Sequence, residues 1–199
     1  FAPELEQALP PLLRTEVKPM NRVHPVIAGL NIALTGAFFG VLQWGAFFLL
    51  QSYLASTAII YLLATSVWLV GSLAGLALPG QRGEVGWLAA ATAAYYALQW
   101  VAKANPYDLR FLPLLLLFVA GMGAYAGRFF RFRRGALGKA KWLFFVENTG
   151  FVVGMVFTVV ALFWTGEAML QWAPAIGAGL CLLTALPFAA NSAPSADKG

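Results

Sequence analysis

Residues 121–154 read GMGAYAGRFFRFRRGALGKAKWLFFVENTGFVVG, and this stretch decides the fold. Two long apolar, aromatic-rich runs meet at a short joint that carries Arg128, Arg131, Arg133, Arg134, Lys139 and Lys141. Neither run alternates with the period of two that a membrane β-strand of about 10 residues requires, so both read as helices. Four more apolar runs flank them. The spans fall at 25–50, 56–78, 86–103, 111–131, 140–165 and 168–190. A hydrocarbon core of about 30 Å needs about 20 apolar residues per helix, so six spans consume most of the chain. The expectation is an all-α fold, a polytopic membrane bundle of six transmembrane helices.

Composition agrees. The 199 residues are 60% hydrophobic and 11% charged, with a mean hydropathy of +0.74, against about 25% charged residues in a soluble domain. Three regions follow: residues 1–24 as a cytoplasmic surface segment with a short amphipathic helix over 3–13, a transmembrane domain over 25–190, and a short polar tail over 191–199. Beginning at Phe1, the sequence reads as part of a longer precursor, and the mixed charges of its first 24 residues do not form a signal peptide. Pro25 and Pro113 suit first helical turns, where a missing N–H costs little. Pro79–Gly80 and Asn105–Pro106 mark turns. The tryptophans, among them Trp44, Trp100, Trp142 and Trp164, fall mostly towards span ends, as an interfacial belt does.

Orientation follows from charge. With six helices both termini share a side, and 11 of the 13 Lys and Arg residues belong to that side; Lys103 and Arg110 are alone on the other. The positive-inside rule therefore places both termini in the cytoplasm, in a membrane expected to be the bacterial inner membrane. The net charge of +5 sits beside the spans, where it reads as topology and contact with membrane lipids rather than nucleic-acid binding. The six basic residues of the fourth connection are the candidate site for lipid or an acidic partner.

Small residues recur at helix-packing intervals. Gly36 and Gly40, Gly71 and Gly75, Gly123 and Gly127, and Gly150 and Gly154 each make an i,i+4 pair. Such pairs let two backbones approach closely, which is how helices associate where lipid is as apolar as Leu.

Groups that carry chemistry are scarce. Glu147 stands about two turns into the fifth span, on one face with Gly150, Gly154 and Thr158. An ionisable group in a span belongs against protein or water, so Glu147 and its neighbour Asn148 form a candidate intramembrane polar site. Gln43, on the glycine face of the first span, is the expected partner of Glu147. A structural, hydrogen-bonded Glu147 competes with proton or cation handling. His24 is the only histidine and Cys181 the only cysteine, so the chain offers no cysteine metal site, no pair of axial haem histidines and no covalent haem motif. No cofactor is expected in this chain alone. Ser72 lies in Gly71-Ser72-Leu73-Ala74-Gly75, but nothing orients a base toward it as a serine protease requires.

Three of these segments carry a family resemblance. Leu34-Thr35-Gly36-Ala37 followed by Gln43-Trp44, Trp68-Leu69-Val70-Gly71-Ser72-Leu73-Ala74-Gly75, and Glu147-x-x-Gly150-x-x-x-Gly154 resemble the membrane half of integral-membrane spermidine-synthase-like proteins. The likeness spans 25–190, with Glu147 where that family usually has Asp. It lacks the family's aminopropyltransferase domain, with the glycine loop and acidic residues that bind the nucleoside, and so does not bring the enzymatic activity with it. Gly80-Gln81-Arg82-Gly83 is faintly similar to the second-to-third-helix loop of major facilitator transporters, without its Asp. The expected function is a non-catalytic scaffold or anchor subunit of a larger, energy-transducing membrane complex, with other membrane subunits as partners. The alternative is a small homodimeric transporter or channel that uses Glu147 as a proton or cation coupling site.

Overall fold

A computed structural model describes residues 25–54, 58–79, 83–134 and 136–190. The expected surface segment over 1–24, with His24, and the tail over 191–199 lie outside the described residues, as do Gly80, Gln81 and Arg82. Among the described residues the chain forms six α-helices: α1 Pro25–Tyr53, α2 Ala58–Ala77, α3 Glu84–Ala104, α4 Leu112–Phe132, α5 Ala140–Thr165 and α6 Ala168–Ala190. A 3₁₀ turn, Leu109–Phe111, leads into α4. Predicted and observed boundaries agree to within three residues.

Five helices are long and apolar enough to cross a membrane. The sixth, α3, is less apolar because Glu84, Gln99, Lys103 and a run of alanines dilute it. It compensates by packing against α1, α4 and α6. The most buried helix is α1, which forms the spine of the bundle.

Backbone proximity organises the rest. A methyl group on Gly36 would stand 2.1 Å from the Glu147 carbonyl oxygen, and one on Gly40 would stand 2.4 Å from that of Phe151. Reciprocally, a methyl group on Gly150 would stand 2.1 Å from the Ala33 carbonyl oxygen and one on Gly154 2.0 Å from that of Ala37. The second pair of helices repeats this in the same register. Gly71 and Gly75 meet the carbonyls of Ala120 and Ala124, while Gly123 and Gly127 meet those of Trp68 and Ser72. In both pairs residue numbers rise together, so α1 runs parallel to α5 and α2 parallel to α4. The two pairs run in opposite directions: Asn31 of α1 meets Arg133 just past α4, and Phe39 stacks edge-on against Tyr125 and Phe129.

The helices thus form two three-helix halves in inverted orientation. Laid on α1 with Gly123 on Gly36 and Gly127 on Gly40, every buried residue of α4 falls on a buried residue of α1. Ala120-x-x-Gly123-Ala124-x-x-Gly127 then covers Ala33-x-x-Gly36-Ala37-x-x-Gly40. Laid on α2 by its glycines, α5 places buried Leu143 and Glu147 on buried Ala64 and Trp68. The third helices, α3 and α6, meet each other: Gln99 donates to the Leu170 carbonyl at 3.5 Å, and Lys103 lies 3.8 Å from Glu167. The packing between halves follows an approximate pseudo-twofold: α1 against α5 matches α4 against α2, and α6 against α1 matches α3 against α4, whereas the contacts within each half differ.

Candidate functional site

The end of the bundle where α4 stops and α5 starts gathers the polar side chains. Arg133 is buried, and its Nη2 reaches the Glu84 carboxylate at 2.6 Å while its Nε donates to the Asn31 side-chain oxygen at 2.8 Å. Asn31 donates in turn to the Thr184 hydroxyl at 2.9 Å and the Cys181 carbonyl at 3.5 Å. The guanidinium also lies over the Phe188 ring at 3.8 Å. One connected network thereby ties α1, α3, α6 and the end of α4 together. A buried charge holds its place only where partners replace water, and here each of these groups has one. Asn31, Glu84 and Thr184 were not among the residues singled out from the sequence.

Arg128 and Arg131 do a different job. The last carbonyls of a helix have no partner within it, and the helix before Pro79 is α2. Arg128 donates to the Leu78 carbonyl, and Arg131 donates to Leu78 at 2.6 Å and to Leu76 at 3.2 Å. Arg128 is buried over the rings of Trp87 and Phe132. These two arginines cap α2 from a neighbouring helix, which extends the glycine-mediated α2–α4 contact to its end.

The basic cluster read from the sequence is therefore split. Arg128, Arg131 and Arg133 are structural, turned inward onto carbonyls and Glu84. Arg134, Lys139 and Lys141 are exposed. Arg134 and Lys139 rim a cleft of about 380 Å³ between α4 and α5, walled by Phe130, Leu137, Leu143 and Phe144. Lys141 lies outside it, over its neighbour Trp142.

Glu147 is buried, 8% exposed, on the face of α5 that holds Gly150, Gly154 and Thr158, as its spacing requires. It stands seven residues past Ala140, about 10 Å along the helix axis, one turn beyond Leu143 of the cleft. No hydrogen bond or ion pair holds its side chain among the described residues. The two expected companions are elsewhere. Asn148 is exposed on the outer face of α5, because the next residue along a helix turns about 100° away. Gln43 lies two turns along α1 from Gly36, the residue that faces Glu147, and lines a small pocket with Trp44, Phe47, Tyr61 and Thr65. The Gln43–Glu147 pair expected from the sequence does not form.

That pocket and the basic cleft occupy equivalent places. The pseudo-twofold puts Phe130 on Gln43, Leu143 on Ala64 and Phe144 on Thr65, while Arg134 and Lys139 lie beyond the ends of α4 and α5 and have no helical counterpart. The pocket of the first half holds about 20 Å³, room for roughly one water. Side-chain volume contributes to the difference. In the first half Tyr61 packs edge-on against Phe47 at 5.1 Å within the pocket; the residue in the position of Tyr61 in the second half is Ala140, which lines the open cleft.

Among the described residues, six helices, five of them long and apolar enough to cross a membrane, packed around an apolar core with a polar network at one end, define a polytopic α-helical membrane protein. Comparison with protein-family models, curated proteins and solved structures finds no match to this chain.

Proposed function

We propose that this chain is a small transporter of the inverted-repeat type, with Glu147 as its proton or cation coupling group. The observation that carries the reading is the unequal filling of two equivalent clefts: tight around Gln43, Trp44 and Phe47, open beside Arg134 and Lys139. Inverted repeats are a recurrent plan for secondary transporters, because exchanging the conformations of the two halves exchanges which side is open. A carboxylate buried without a partner is costly unless it is protonated or meets a cation, which suits a coupling role. The positive-inside rule assigns the basic end to the cytoplasm, and a bacterial inner membrane is the setting this reading takes.

Reconstitution into vesicles containing a pH-sensitive dye tests it without a known substrate. The expected result is proton movement driven by an imposed ion gradient, reduced at least ten-fold in Glu147→Gln, with an unchanged elution volume on gel filtration. Native flux in the variant would remove Glu147 from the mechanism.

The second reading is a scaffold subunit of a larger membrane complex. It is favoured by the broad apolar face that α5 turns outward, with Phe163 and Trp164 each 87% exposed. On that reading no flux arises from the chain alone, and gentle extraction recovers it with other subunits.

A further inference from the structure

We propose that the cleft between α4 and α5 is a binding site for one anionic phospholipid, its phosphate held by Arg134 and Lys139 and an acyl chain lying on Phe130 and Phe144. The proposal holds whether or not the chain is a transporter.

Charge complementarity is the first argument. Arg134 and Lys139 border the cleft from opposite sides of the α4–α5 joint, and neither side chain has an ion pair or hydrogen bond among the described residues. Among the described residues no acidic side chain lines the cleft, and Glu84, in the network at this end, is committed to Arg133. The helix that begins here, α5, has no side-chain cap at Lys139; the Trp142 N–H donates to the Lys139 carbonyl, and those of Ala140 and Lys141 have no backbone acceptor among the described residues.

The shape of the wall is the second. Phe130 and Phe144 stack at 4.6 Å with their planes 27° apart, and with Leu137 and Leu143 they form the apolar wall of the cleft that the two cations border. A free anion gains nothing from such a wall. An amphiphile with a negative headgroup uses both parts, and at a membrane face its chain continues into the hydrocarbon.

The inverted repeat supplies the third argument, because it contains its own control. The fold places the equivalent pair of helices, α1 and α2, at the opposite end of the bundle, where Gln43, Phe47, Ala64 and Thr65 line the space. There the space is closed to about 20 Å³ and holds no charge. Packing of this framework therefore requires neither the cleft nor the cations, and both belong to one half.

Native mass spectrometry of the intact chain, released from a neutral detergent, tests the site. The chain is titrated with phosphatidylglycerol, phosphatidylcholine and inorganic phosphate, with the native sequence, the double variant R134Q/K139Q, and K141Q. The expected result is one phosphatidylglycerol held in preference to phosphatidylcholine and not displaced by millimolar phosphate. The double variant should bind it roughly thirty-fold more weakly, as two surface cations near a headgroup imply, and K141Q should bind it as the native chain does. Both substituted side chains of the double variant are exposed, so it should melt at the native temperature. Equal retention of the two lipids, displacement by free phosphate, or the same loss in K141Q as in the double variant would overturn the proposal.

Discussion

Gly127→Ala should abolish the monodisperse, folded protein in mild detergent. Its new methyl group would stand 1.8 Å from the Ser72 carbonyl oxygen and 3.0 Å from the Leu76 backbone nitrogen. Nothing flexible is there to move, because both are main-chain atoms within α2. The helices must separate, and the neighbouring contacts of Gly71, Gly75 and Gly123 open with them. Overpacking a core with a single group costs about 1–3 kcal/mol, and a main-chain clash belongs at or above the top of that range. The pseudo-twofold extends the prediction. Gly40→Ala, at the equivalent place in α1, should fail similarly, its methyl 2.4 Å from the Phe151 oxygen. Gly29→Ala and Gly86→Ala, which meet nothing within 4 Å, should melt within a degree or two of the native chain. Thermal denaturation followed by fluorescence-detected gel filtration separates the two groups.

Arg133→Ala carries the second large effect. Removing the guanidinium leaves the Glu84 carboxylate and the Asn31 oxygen without their partner inside the bundle. Breaking a buried pair from one side costs about 3–5 kcal/mol. Arg133→Lys should rescue little: Nε serves Asn31 and Nη2 serves Glu84, and a single ammonium does not span both. Arg133→Met combined with Glu84→Gln should recover most of the loss, because neither charge is then stranded. If Arg133→Ala alone melts at the native temperature, the network is not holding the four segments together.

Much of this architecture is legible in the residues. Runs of apolar residues give the six helices, and the glycine pairs identify the closely packed helices. Those pairs appear in the first, second, fourth and fifth spans and skip the third and sixth, a period of three helices that signals the repeat. Its inversion needs the pairing of α1 with α5 and α2 with α4, which spacing within one helix does not specify.

The basic cluster shows the opposite limit. As a run of charges it reads as one surface patch, yet consecutive helical residues point about 100° apart, so a short run reaches several environments. Pro79 was the available signal for Arg128 and Arg131, since a helix stopped by proline leaves carbonyls in need of donors. Nothing local links Asn31 to Arg133 or Thr184. Those partners are brought together only by the crossing of α1 with α4 and α6. Gln43 illustrates the same point: it shares a face with Gly36 and Gly40, but rise along the axis carries it two turns from Glu147.

The central claim is that the two clefts are alternative openings of one inverted repeat. It is tested most directly by placing single cysteines at the equivalent positions Phe130 and Gln43, with Cys181 replaced by Ser, and labelling sealed vesicles of known orientation with a membrane-impermeant maleimide. The account predicts that the cysteine at 130 reacts from the side of the basic joint and the cysteine at 43 reacts, more slowly, from the opposite side only. A cysteine at 43 that stays unreactive from both sides while the one at 130 is labelled would contradict it, and would leave a rigid scaffold with one open cleft.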